Sequence, residues 1–217
     1  MSNFVEIKAG FLGREETFDA YVIGERKAYL KLDPQQDDIL LDLGANIGAV
    51  TCTFASKVKQ VIAVEPEPNN LEVLRANIEH FNADNVTVIA GAVTLVRETR
   101  NFYVNTATNK GLHSLLPYRG RDVIEVECYP FAEMLETYKP TLLKMDIEGG
   151  EYELASVLAN LPSSIRGIAI ELHHKSDEHR NVAAPAIVES FMAQSFTVVR
   201  KQTIGVKNWC SVGVYLR

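Results

Sequence analysis

The stretch ILLDLGANIGAVT, residues 39–51, decides how the rest of the chain is read. Ile39–Leu43 is a short apolar run that closes on turn residues, the pattern of a buried strand. Gly44 and Gly48 bracket Ala45, Asn46 and Ile47, and a helical face runs from Gly48 to Ser56. Such glycines free the backbone for a tight turn and let it approach a ligand. The helix that follows offers its unpaired first-turn N–H groups. Two ligand classes suit this arrangement. A dinucleotide pyrophosphate calls for G-x-G-x-x-G and an acid about 20 residues on for the ribose. Here Asn46 replaces the middle glycine and would crowd a pyrophosphate, and Asp42 ahead of the turn would repel it. S-adenosylmethionine carries cationic sulfonium and ammonium groups and no phosphate, so an acid at the lip of the turn suits it.

The neighbouring segments extend the pattern. QVIAVE, residues 60–65, is a second apolar strand, and Glu65 at its end is placed to take both ribose hydroxyls. Pro66 and Pro68 punctuate it. Leu71, Leu74, Ile78 and Phe81 then recur at helical spacing behind a proline start. Val86–Ala90 is a third strand, and Gly91-Ala92-Val93 after it sits where an adenine edge would lie. NFYVN (101–105) and DVIEVECY (122–129) alternate with period two and read as a hairpin-like pair, with a short helix following near Phe131–Tyr138. TLLKMDIEGGEYELASVLANL (141–161) repeats strand, acid, glycines, helix. GIAIELHH (167–174) is a further strand, AAPAIVESFMAQSF (183–196) a helix, and TVVRK (197–201) and CSVGVYLR (210–217) the last strands. Strands alternating with helices imply right-handed crossovers and a mostly parallel sheet. Ligands bind such sheets at the carboxyl ends of the strands. Asp42, Glu65, Asp146 and Glu171 all fall there, and four acids at four strand ends are poorly explained by core packing.

The 217 residues suit one domain, residues 37–217, behind an N-terminal extension over 1–36 with short strands and a helix packed on the core. A formal charge of −6 argues against sequence-blind binding to nucleic acid or an anionic membrane. No apolar run reaches membrane-span length and the N-terminus has no signal-like h-region. Cys52, Cys128 and Cys210 are odd in number and far apart, so free thiols in a reducing cytoplasm are expected.

LDLGANIGAVT, VIAVEPEPNNLEVLRANI, LLKMDIEGGEYELASVL and IAIELHH together resemble the FkbM-type methyltransferases, over roughly Asp37 to His174, with DIEGGE the most specific part. The resemblance implies an α/β, Rossmann-like class I methyltransferase fold: a mostly parallel seven-stranded sheet with helices on both faces. It implies S-adenosylmethionine as cofactor and methylation of hydroxyls on small molecules or sugars. It also implies cofactor roles for Asp42, Gly44, Asn46, Gly48 and Glu65, to which Ala45, Pro66, Ala92 and Asp146 are added here. Asp146, Glu148 and Gly149 are implied at the active site.

Methyl transfer from a sulfonium needs an aligned acceptor and a group to take the hydroxyl proton. Asp146 and His173 are the candidate bases, with Glu171 orienting and Lys144 holding an anion or pairing with a carboxylate. His173 alternatively hydrogen-bonds a loop, and Glu148 alternatively caps a helix. Glu151 and Glu153 read as that helix's solvated face. His173, His174, Asp177 and His179 match no standard metal spacing and read as a polar loop. No metal is assigned, although a magnesium ion on Asp146 and Glu171 stays open. From Arg97 to Arg121 five basic residues stand against Glu98, a local +4. This segment, within an insert over 97–130, is either a solvated loop or a lid recruiting an anionic acceptor, with His113, Ser114, Tyr118 and Arg119 as contacts. Three alternatives remain: a methyltransferase of the same fold acting on nucleic acid or a nucleotide, a cofactor-binding module without catalysis, and a nicotinamide oxidoreductase.

Overall fold

A computed structural model describes residues 4–105, 113–117, 119–204 and 210–217. An N-terminal hairpin, β1 (Val5–Lys8) and β2 (Phe11–Gly13), leads to helix α1 (Asp19–Glu25) and a 3-10 segment over Arg26–Leu32. The main body follows: β3 (Ile39–Leu43), α2 (Ala49–Ala55), β4 (Gln60–Glu65), α3 (Pro68–His80) and β5 (Val86–Ala90). Then come β6 (Ala92–Thr94), β7 (Glu98–Val104), β8 (Asp122–Pro130), α4 (Phe131–Tyr138) and β9 (Leu142–Met145). Helix α5 (Ala155–Leu158), β10 (Gly167–His173), α6 (Ala184–Ala193), β11 (Thr197–Ile204) and β12 (Cys210–Leu216) complete the chain.

Seven strands form one sheet in the order β11-β12-β10-β9-β3-β4-β5. β3, β4, β5, β9 and β10 run parallel, and β12 is antiparallel to both its neighbours, β10 and β11. Alternate residues of β3 serve different layers, as the two-residue period requires. Leu41 and Leu43 pack with Phe131, Met134, Ile187 and Phe191 of α4 and α6. Leu40 packs on the other face with Phe54 of α2 and with Tyr29 and Leu32. β10 is buried along its whole length, as a strand covered on both faces must be. The chain runs outward from β3 to β4 and β5, then returns to place β9 and β10 on β3's other side. The carboxyl ends of β3 and β9 therefore flank a topological switch point, where such sheets bind ligands.

The hairpin-like pair expected around the insert is present, with β7 and β8 antiparallel. A third strand not read from the sequence, β6, adds to β8 in parallel and makes a separate three-stranded sheet. A continuous helix after DIEGGE is not what forms. That stretch is a 3-10 turn over Gly150–Tyr152 and the four-residue α5. Glu148 and Gly149 both adopt positive φ, at 56° and 107°, so the chain enters the segment through a left-handed turn rather than a regular first helical turn.

The N-terminal segment is stitched to the glycine turn. The Asn77 side chain accepts from Leu12 N–H at 2.8 Å and donates to Leu12 O at 3.0 Å and Ile47 O at 2.9 Å. Phe11 and Ile23 share a core cluster with Ile47, Ala49, Cys52 and Val73. The three cysteines are free and buried. Among the described residues no helix is long and apolar enough to cross a membrane.

Candidate active site

The turn after β3 is held by its neighbour strand. Gly44 and Ala45 both donate to Val64 O at 3.0 Å. Gly44, at φ +77°, runs so close to β9 that a Cβ there would lie 1.9 Å from Asp146 O. No side chain fits, which is the packing reason for glycine at this position. Asn46 also takes a left-handed φ of 52°, and its backbone N–H donates to Glu65 Oε2 at 2.8 Å.

A cleft opens at this edge of the sheet. Gly44, Asn46, Glu65, Pro66 and Asn70 line one part of it. Val64, Gly91, Ala92, Val93, Phe102 and Leu115 supply mostly apolar wall, and His113, Asp146, Ile147, Glu148 and Gly150 complete it. The cleft thus brings together Gly44, Asn46, Glu65, Pro66, Ala92, Asp146, His113 and Glu148 of the expected residues. Ala45, Gly48, Asp42, Lys144, Glu171, His173, Ser114 and Arg119 do not line it. Tyr118 and Lys110 lie outside the described residues.

Glu65 is 4% exposed. Its Oε1 accepts from Glu67 N–H at 3.0 Å and the Asn70 amide at 3.3 Å. Burial raises its pKa to about 7, against these hydrogen bonds, which favour the charged form. Asn70, unread in the sequence, is itself gripped by Arg14 of the N-terminal segment at 2.8 Å.

Asp42 is fully buried rather than presented to a ligand. Thr51 Oγ1 donates to its Oδ2 at 2.7 Å, and Lys144 Nζ lies 3.2 Å from its Oδ1. The two acidic and basic residues are register partners across β3 and β9. Lys144 also donates to Gly44 O at 2.7 Å, and although burial disfavours its charge, Asp42 holds its pKa above the ordinary lysine value. Lys144 thus pairs with a carboxylate, one of the two roles expected of it, and with Asp42 it braces the underside of the glycine turn, away from the cleft lining. Thr51→Val is expected to destabilise the fold by about 1.5–3 kcal/mol, the range for a hydrogen bond to a buried charge, measured by urea denaturation.

His173 is 1% exposed and encircled by acids. Its Nδ1 stands 3.1 Å from Glu151 Oε1, and its Nε2 stands 3.5 Å from Glu148, 3.6 Å from Glu171 and 3.8 Å from Asp146. Burial disfavours the imidazolium, but Glu151, Glu148 and Asp146 outweigh it and raise the His173 pKa to about 10. His173, a candidate base from the sequence, does not line the cleft and sits among these acids beside it. Burial, with the neighbouring Asp146 charge adding, raises Glu171 to about 7. Cys210 Sγ lies 2.9 Å from Glu171 Oε1. Glu151 overturns its reading as a solvated helix residue: it is fully buried, and it also accepts from Ile147 N–H at 3.1 Å. Glu148 lines the cleft and makes no side-chain cap to a helix.

The insert closes over this edge through Ser114, whose Oγ donates to Glu148 O at 2.8 Å. Two of its five basic residues are neutralised locally. Arg97 pairs with Glu133 at 2.6 Å, and Arg100 pairs with Glu98 and Glu153, both at 2.7 Å. Downstream, His174 Nδ1 meets the Tyr152 hydroxyl at 3.0 Å and His179 stacks on the Tyr152 ring at 4.0 Å. These two histidines serve packing in the polar loop.

Sheet order, the antiparallel β12 and a cleft at the carboxyl edge define a class I methyltransferase fold. The chain belongs to the FkbM methyltransferase family, whose domain profile matches residues 42–197. It is 25% identical over 141 residues to the hexuronic acid methyltransferase AglP of Haloferax volcanii, a match covering 65% of this chain and 58% of that protein. The crystal structure of methyltransferase FkbM from Methylobacillus flagellatus superposes with a TM-score of 0.55 at 16% identity, over 83% of this chain and 44% of that one. A precorrin-6y C5,15-methyltransferase from Geobacter metallireducens gives 0.53 at 16% identity, over 99% and 94%. These two structural likenesses concern the fold. The chain spans little more than half the length of AglP and less than half of the FkbM chain.

Proposed function

We propose that this protein binds S-adenosylmethionine in the cleft and methylates a hydroxyl of a sugar-like acceptor. The carrying observation is that one cleft holds both the buried Glu65 carboxylate and the Asp146–Glu148 pair, joined by an apolar wall. The cofactor's chemistry fits these groups. A ribose diol suits a buried carboxylate, adenine suits Val64, Ala92, Val93 and Phe102, and a cationic sulfonium suits a region of excess negative charge. When bound, the cofactor supplies an activated methyl group that a hydroxyl oxygen accepts as it loses its proton. The chain's own residues have the remaining tasks. Glu65, steadied by Asn70, holds the ribose. The acceptor proton passes to a carboxylate lining the cleft, Asp146 or Glu148. Phe102, His113 and Leu115 of the insert exclude water. The family membership supports methyl transfer, and the likeness to a hexuronic acid methyltransferase supports a uronic-acid-type sugar as acceptor.

Action on nucleic acid is less favoured, because Arg97 and Arg100 already face acids and leave less basic field on the insert. The test is a calorimetric titration of S-adenosylhomocysteine, with NADH in parallel. A labelled methyl-transfer assay on uronic-acid oligosaccharides and on RNA follows. One-to-one micromolar binding of the first ligand alone, with label in the sugar, supports the reading. Binding of NADH alone overturns the cofactor, and label in RNA alone overturns the acceptor.

A further inference from the structure

Beside the cleft, Asp146, Glu171 and His173 present one ligand atom each within 4.8 Å of one another. They come from the ends of β9 and β10, adjacent parallel strands, so the sheet itself sets their spacing. The separations of His173 Nε2 from Glu148, Glu171 and Asp146, 3.5, 3.6 and 3.8 Å, are long for hydrogen bonds. They are close to the span across a divalent ion: ligands about 2.0–2.2 Å from a metal at near-tetrahedral angles stand about 3.3–3.6 Å apart.

Two further observations point the same way. Metal-ligating histidines hand their other ring nitrogen to a carboxylate, which fixes the tautomer. Glu151 Oε1 is in that position on Nδ1 at 3.1 Å, from a side chain with no exposure, and leaves Nε2 turned to the acids. In addition, Glu148 Oε2 and Glu151 Oε2 are buried atoms with no hydrogen-bond partner. The first of these is the oxygen nearest His173 Nε2. Charge asks for the same occupant. Four carboxylates surround one imidazole, and the only other cation beside them in an ion pair, among the described residues, is Lys175, 3.7 Å from Glu148.

We infer that Asp146, Glu171 and His173 bind a divalent first-row transition ion, with Glu148 as an adjoining carboxylate and Glu151 orienting the histidine. An imidazole with carboxylates is the donor set of Mn²⁺, Fe²⁺ or Zn²⁺ rather than of a thiolate-loving metal. This deepens the proposed activity, since an ion there adjoins the part of the cleft assigned to the acceptor.

The experiment uses the full chain stripped with EDTA and titrated with Mn²⁺, reading free Mn²⁺ by electron paramagnetic resonance. One ion per chain at micromolar dissociation constant is expected, with a rise in Tm. Glu171→Gln should weaken binding at least tenfold, and Glu151→Gln by about 10–100-fold as an outer partner of the ligating histidine. Circular dichroism checks that each variant folds. If neither folds, the stoichiometry and Tm shift of the unaltered chain decide. No retention of Mn²⁺ at millimolar concentration, or wild-type affinity in a folded Glu171→Gln, overturns the site. S-adenosylhomocysteine titrated into the stripped protein keeps the two ideas apart. Failure there defeats the cofactor reading, whereas cofactor binding without any Mn²⁺ binding defeats only the metal.

Discussion

Replacing Glu65 by Gln is expected to weaken S-adenosylhomocysteine binding by about 100-fold or more. Hydrogen bonds to a charged group contribute about 1.5–3 kcal/mol each. Two ribose hydroxyls on one carboxylate therefore supply about 3–6 kcal/mol, and each 1.4 kcal/mol is about tenfold in affinity. Gln keeps one acceptor oxygen, so the lower end applies. It also turns an NH2 toward one of two backbone donors, Asn46 N–H or Glu67 N–H, which now meet the two carboxylate oxygens. The same residue sets a pH dependence. The folded pKa of about 7 lies above the ordinary value of 4.5, so the protonated form is favoured by folding. The associated stability is complete below pH 4.5 and is lost as pH rises to 7. Ligand hydroxyls donate to the ionised form, so cofactor affinity runs the other way. It should fall about tenfold per unit as pH drops below 7, the slope of one linked proton. Calorimetry between pH 5.5 and 8 measures this. A flat profile in the unaltered protein, or full affinity in Glu65→Gln, would remove Glu65 from the site.

How much of this was visible in the sequence depends on how local each feature is. β3, β4, β9 and β10 announce themselves as apolar runs ending at acids, and the glycine turn carries its own signature. Their parallel order follows from the alternation with helices. The lining residues Asn70, Phe102 and Leu115 were not legible. Asn70 faces the cleft because Arg14, 56 residues earlier, and Glu65 pin its amide. Phe102 lies on β7, paired with β8, and Leu115 follows the bridge of Ser114 to Tyr103, so both depend on pairings between segments well apart in the chain. Glu151 was misread for a related reason. Helical periodicity places it on a solvated face, but the left-handed entry at Glu148 and Gly149 turns the segment inward onto His173, 22 residues away. Asp42 and Lys144 illustrate the converse. Their positions at strand ends are plain, but whether a strand-end acid faces ligand or neighbour depends on register. Register opposes these two directly.

That pairing leads to a second large effect. Lys144→Met is expected to lower stability by about 3–5 kcal/mol, the range for breaking a buried ion pair by removing one partner. Asp42 would keep the Thr51 hydrogen bond but lose the cation 3.2 Å from its other oxygen, at a site without solvent exposure. The ammonium's bonds to Leu43 O and Gly44 O, at 3.3 and 2.7 Å, would go too, so the glycine turn loosens as the fold weakens. The double change Lys144→Met with Asp42→Asn removes the stranded charge and should recover much of the loss, because the desolvation cost of Asp42 disappears with it. Urea denaturation of the two single variants and the double gives the coupling directly. A catalytic lysine predicts a different pattern: an unchanged unfolding midpoint in Lys144→Met, methyl transfer abolished, and no rescue by Asp42→Asn. The burial of both side chains makes the first pattern the expected one, because a lysine 3% exposed and absent from the cleft lining has no acceptor to reach.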